Sequence, residues 1–281
     1  MDGLDFLGLE ASGDPLRWRL PVTPAIASGI GALFGGAALA AGVETLERSC
    51  GRHLIWATAQ YHAFARPPSV VEIDVVISAA GHRTTQARAI GHVGGEEIFT
   101  VVAALGSRPS RWEGVWAERP DVPPPDACDS RPLRTDQRNS IATRIEMRLA
   151  RARGPEELPG PPGDGRSALW ARIPDLDPGS AVLAIIGDYV PFGISQALGE
   201  RVGGNSLDNT LRVVQRPTRN GWMLVDIRIH AVRGGFGHGH ILLWAEDGSL
   251  LGSASQSAIV RPWAEGPGTS SPTTPQPTTP H

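Results

Sequence analysis

The segment Ser180–Ile186, SAVLAII, is apolar on every side, and the lone carboxylate of Asp188 follows it, just ahead of Tyr189-Val190-Pro191. A helix with no polar face must be wrapped by other structure rather than lie on a surface. Ser180 is a plausible N-cap, and Pro191 should end or kink the helix. An acid at a helix C-terminal end opposes the macrodipole. Local electrostatics therefore give no reason for Asp188, and another demand must place it there. Beyond a Gly203-Gly204-Asn205-Ser206 turn, Leu207–Val214 reads as a strand that stops at Arg216-Pro217.

Strand patterns dominate the rest of the chain. Leu54–Ala63, Val70–Ser78, Thr84–Gly91 and Ile98–Leu105 come before the central stretch. Trp222–Val232, Gly239–Ala245 and Leu250–Val260 come after it, with glycine turns between. Phe6–Glu10 and Leu16–Leu20 read as a strand pair, Ser28–Ala41 as a small-residue helix, and Ile141–Ala150 and Ala168–Ile173 as two further strands. A buried helix beside so much strand predicts an α+β fold, with a curved antiparallel sheet wrapped around the helix.

The two halves repeat. Each holds a helix, a strand ending in Arg-Pro, and three strands with glycine turns; Arg66-Pro67 and Arg216-Pro217 lie 150 positions apart. The turns at Gly95-Glu96 and Asp247-Gly248 are offset by 152. Duplicated units bury surface against one another, and joining their sheets removes two exposed edges. The chain divides into a first module at 1–107, a proline-rich linker at 108–138, a second module at 139–263 and a Pro/Thr-rich tail at 264–281, read as disordered.

Composition narrows the function. With 281 residues, 41% hydrophobic and 20% charged, the chain matches a soluble globular protein. A net charge of −3 argues against general binding to nucleic acid. Cys50 and Cys128 sit in unrelated contexts and suggest neither a metal site nor a disulfide, which fits a reducing compartment. The acidic start lacks a signal peptide's pattern, and no apolar run approaches the roughly 20 residues of a membrane helix. A cytoplasmic protein without membrane insertion is expected. His238 and His240 form a possible chelating pair with no third ligand, so no metal is expected. The Gly234-Gly235-Phe236-Gly237 run lacks a P-loop lysine and reads as a strand bend. There is no Gly-x-Ser-x-Gly elbow.

The order of Gly35-Gly36-Ala37-Ala38, Phe64-Ala65-Arg66-Pro67, Gly187-Asp188-Tyr189-Val190-Pro191, Asn205-Ser206-Leu207-Asp208 and Ala254–Arg261 resembles the type II acyl-CoA thioesterase family. That resemblance implies a double hotdog: two antiparallel sheets, each wrapped around a central helix and joined into one extended sheet. It implies that Asp188, Ser206 and Gln256 together position a water for thioester hydrolysis, with no cofactor, on an acyl-CoA substrate. Asn205 competes with Ser206 for its role, and Arg233 and Gly234 fall in a region near the substrate, where Arg233 would meet a CoA phosphate. Proteins of this type associate through their sheets, which implies a homo-oligomer. At the repeat offset Gln256 falls opposite Ala104, and Asp188 falls in the Gly35–Ala41 run, so one site per chain is expected, carried by the second half.

Structural roles compete with each of these. Asp188 could cap or salt-bridge, Ser206 could serve its turn, and Gln256 could face solvent. Asp208 is a reserve acid. At the level of function the rival is a non-catalytic acyl-CoA or acyl-chain binder on the same fold. A hydratase ranks last, because its Asn-Pro-x-His segment is missing.

Overall fold

The structure, a computed structural model, describes residues 1–263; the expectation for the tail lies outside them. The first half runs through α1 (Gly3–Leu7), β1 (Glu10–Ala11), β2 (Arg17–Pro21), α2 (Gly35–Cys50), β3 (Leu54–Tyr61), β4 (Val70–Ala80), β5 (Thr84–Val93) and β6 (Glu96–Gly106). The second half runs through β7 (Glu146–Arg151), β8 (Arg166–Arg172), α3 (Ser180–Ile186), α4 (Val190–Leu198), β9 (Val202–Val213), β10 (Met223–Arg233), β11 (Phe236–Ala245) and β12 (Leu250–Pro262).

All twelve strands form one antiparallel sheet in the order β1-β2-β4-β5-β6-β3-β9-β12-β11-β10-β8-β7. The order is a mirror of itself about the β3–β9 junction, as a duplicated unit requires. Across that junction Thr58 pairs with Thr210, and their hydroxyls hydrogen-bond at 2.9 Å. These residues are 152 positions apart, so the repeat's two-fold axis passes between them. Helix α2 lies in the curve of β3–β6 and α4 in that of β8–β12, while α3 packs against α2. This is the double hotdog, and the apolar residues of both halves form one continuous core. Ser180–Leu198 has a hydropathy of 1.5 over a span long enough for a membrane helix, yet it is two helices, mostly buried inside the sheet.

Several local readings change. Phe6 and Leu7 belong to a helix, because Asp2 caps its start by accepting the Asp5 N–H at 3.0 Å and Gly8 closes it at φ 71°. Helix α2 begins at Gly35, not Ser28, and runs to Cys50. Ile141–Arg144 forms a 3-10 turn, so β7 starts only at Glu146. Gly203–Ser206 is strand, with Gly203 and Gly204 paired to Arg261 and Val260. A Cβ on Gly204 would stand 2.9 Å from Ala258 Cβ, so glycine serves close packing rather than a turn.

Pro191 does not end a helix but helps to start one. The break falls at Gly187–Tyr189, and Pro191 occupies the first turn of α4, where its missing N–H costs nothing. The proline-rich linker is a strap across the sheet's outer face. Trp170 Nε1 donates to Pro123 O at 2.9 Å, and Cys128 joins a second apolar cluster with Trp170, Trp222 and Trp244.

Candidate active site

The break between α3 and α4 carries Asp188 into the centre of the molecule, where it is buried. Its Oδ2 accepts the backbone N–H of Gly36, which lies in the first turn of α2 and would otherwise be an orphan donor. The carboxylate therefore caps the other half's helix. The sequence reading placed it only at a C-terminal end; it also faces a positive helix terminus, which favours negative charge. Gln256, on β12, donates through Nε2 to Asp188 Oδ1. The same Nε2 donates to Ser206 Oγ, on β9, at 2.6 Å. Asp188, Ser206 and Gln256 thus form one hydrogen-bonded set drawn from three elements.

Two opposing influences set the charge on Asp188. Burial raises the Asp188 pKa to about 7, against hydrogen bonds from Gln256, Gly36 and Ser206 that lower it. With both Gln256 N–H groups engaged, its Oε1 is left buried without a partner among the described residues. Ser206 Oγ accepts from Gln256, and its hydroxyl proton is directed to Asp188. Tyr61 Oη donates to Gly35 O at 2.8 Å and fixes the start of α2 beside the carboxylate.

A cavity of about 550 Å³ opens onto Asp188 and Ser206, with Gln256 outside its lining. Asp188, Asn205 and Ser206 line it, with Phe34, Tyr61 and Phe192 among its apolar walls. Arg233 and Gly234 are not part of it. Gly234 and Gly235, at φ 61° and 83°, make a tight hairpin turn that holds both residues at an exposed tip. Asp208 is also elsewhere: its Oδ1 accepts the Ser257 N–H at 2.8 Å, beside the irregularity where Leu207 has no partner on β12. That is a structural role. His240 meets His230 Nε2 at 2.6 Å and His238 meets Ser257 Oγ at 3.1 Å. No group of three metal-ligating side chains occurs among the described residues.

One buried polar residue beside the set was not singled out in the sequence. Asn209 is fully buried, and neither its Oδ1 nor its Nδ2 has a partner among the described residues. It pairs directly with Gln256 across β9 and β12, so the two amides share the inner face. The visible signal is the polar Asn209 between Ala59 and Gln256 on neighbouring strands, legible only once the register is known.

The first half's counterpart to this site is empty of chemistry. Gly36 is 152 positions from Asp188, and the two touch. A Cβ on Gly36 would stand 2.9 Å from Asp188 Cβ. Near the axis only one half can carry a side chain.

Comparison with known proteins agrees with this architecture. Residues 125–260 match the family described as the acyl-CoA thioesterase C-terminal domain. The crystal structure of a presumed thioesterase from Novosphingobium aromaticivorans is 33% identical, covering 89% of this chain and 97% of its own, at a TM-score of 0.80. A protein of unknown function with a hotdog fold from Alicyclobacillus acidocaldarius shares 20% identity, over 92% and 97% of the two chains, at 0.78. An acyl-CoA thioesterase II from Mycobacterium marinum shares 19%, over 92% and 98%, at 0.71. No curated protein matches.

Proposed function

Because the chain belongs to the acyl-CoA thioesterase family with the double hotdog fold, we propose that it hydrolyses acyl-CoA to the free acid and CoA by an activated water. The observation that carries this reading is the buried Asp188 carboxylate, tied to Gln256 and Ser206 at the cavity wall.

Hydrolysis without a covalent nucleophile needs a held water, a base and donors for the developing oxyanion. Asp188, at the cavity wall, is the acceptor for a proton of that water, and Gln256 behind it fixes the carboxylate. Asp188 takes a proton as the water oxygen bonds to the thioester carbon. The Ser206 hydroxyl, released from Asp188 once that group is protonated, turns to donate to the carbonyl oxygen as it gains charge. Collapse of the tetrahedral intermediate breaks the C–S bond, and the proton held by Asp188 passes to the departing thiolate. A pKa near 7 suits both halves of that cycle, because the group must take and return a proton near neutral pH.

The test is CoA release, read with a thiol reagent, from acyl-CoAs of graded length, in wild type, Asp188→Asn and Gln256→Ala. Loss of about 10² or more in kcat in both folded variants supports the reading. Binding of acyl-CoA with no release from any substrate would replace it with the non-catalytic binder.

A further inference from the structure

Arg131 is a charged group at the cavity wall, beside Arg134 and Asp136. It comes from the strap, where its backbone N–H is held by Met147 O at 2.9 Å, and its side chain lines the cavity. The guanidinium lies over the Phe192 ring, 5.4 Å from its centroid. Its Nε is sealed from solvent without a hydrogen-bond partner, and no carboxylate among the described residues pairs with it. Burial lowers its pKa, yet an arginine keeps its charge under such conditions.

Of the other arginines that line the cavity, Arg261 is solvent-exposed, and Arg66, Arg134 and Arg153 already hold partners. Arg134 forms a two-pronged pair with Asp136, at 3.1 and 2.6 Å. Arg153 donates to Pro161 O and Gln196 O, and Arg66 to Ile30 O. Asp136 is thereby neutralised, while Arg131 has no carboxylate partner at the wall among the described residues. The residue is only half-buried, so its terminal nitrogens remain open to a partner in the cavity while Nε is already stripped of water. A planar guanidinium with open N–H groups binds carboxylate or phosphate in two-pronged fashion.

We propose that Arg131 is the cavity's anion-binding point, and that the substrate presents an oxyanion to it, either a carboxylate on the acyl group or a phosphate of its CoA carrier. The charge and the cavity stand without the thioesterase reading; only the identity of the anion's bearer rests on it.

Two measurements separate the two claims. In the first, binding of adipate and of free CoA is measured by calorimetry to wild type, Arg131→Lys and Arg131→Met. Methionine keeps the unbranched apolar stem without the guanidinium and its charge. One of the two probes should bind wild type about tenfold to a hundredfold more tightly than Arg131→Met, with Arg131→Lys between them. Equal affinities of all three proteins for both probes would overturn the anion site, whatever the enzyme hydrolyses.

In the second, kcat/KM is compared for adipoyl and hexanoyl groups carried on CoA and on N-acetylcysteamine. A loss in Arg131→Met confined to the adipoyl thioesters, on either carrier, assigns the site to an acyl carboxylate. A loss on both CoA thioesters but neither N-acetylcysteamine thioester assigns it to a CoA phosphate. An equal loss on all four shows that Arg131 only supports the wall, and sinks the proposal. If wild type hydrolyses none of them yet binds adipate or CoA through Arg131, the anion site stands and the hydrolysis reading falls.

Discussion

Asp188 ties the site's chemistry to its burial. A carboxyl with a pKa near 7 is protonated below that pH, so kcat should rise about tenfold per pH unit up to 7 and level off above it. A pH–rate profile checks this, and a flat profile down to pH 5 would remove Asp188 from the base role. The same shift has a stability consequence. Between about pH 4 and 7 the folded state keeps a proton that the unfolded chain has released, so this group makes unfolding easier as pH rises through that window. Asp188→Asn should lose that slope in denaturant titrations. Asn209 offers a sharper distinction between stability and function. Both its amide atoms are buried and unpartnered, so Asn209→Leu should leave the melting temperature unchanged or higher, since apolar replacement of an unsatisfied polar group is cheap. If Asn209 helps to orient Gln256, activity should fall at least about tenfold in the same variant. An unaltered kcat would make the asparagine a bystander.

Helix α2 has two close contacts that separate packing from catalysis. A Cβ at Gly42 would meet Val101 Cγ2 at 2.6 Å, far from Asp188, whereas one at Gly36 would meet Asp188 Cβ at 2.9 Å and Ala184 O at 3.0 Å. Both alanine variants overpack the core and should cost about 1–3 kcal/mol in thermal unfolding. Only Gly36→Ala should also change the pH profile, because it moves the N–H that Asp188 accepts. Matched kinetics in the two variants would show that the α2 terminus does not tune the acid. Contact between positions 36 and 188 also accounts for the uneven halves. Two side chains cannot share that space, and two carboxylates there would repel. The repeat offset of 152 in the sequence pointed to the missing acid, but not to its cause.

At the scale of the molecule, the second half is not self-sufficient. Strand β9 pairs with β3 along the junction, α3 packs on α2, and Gly36 completes the shell of Asp188 from the first half. Residues 125–263 expressed alone should therefore be poorly soluble, with β9 exposed as an unpaired edge, and should be inactive. Co-expression with residues 1–124 should restore a soluble complex; a stable, monomeric and active second half would contradict the shared-core account. The all-apolar Ser180–Ile186, the repeated Arg-Pro and glycine turns, and alternating strand patterns determined the α+β class and the duplicated architecture, because burial and periodicity are written locally. Asp188, Ser206 and Gln256 were legible through their resemblance to a family, not through any local pattern of their own. Register and contact across elements, which no local signal encodes, were decided by the tertiary structure alone. They set Asn209 against Gln256, drew Arg131 from a proline-rich strap to the cavity wall, kept Arg233 away from it, and gave Asp188 a helix terminus 152 residues distant to face.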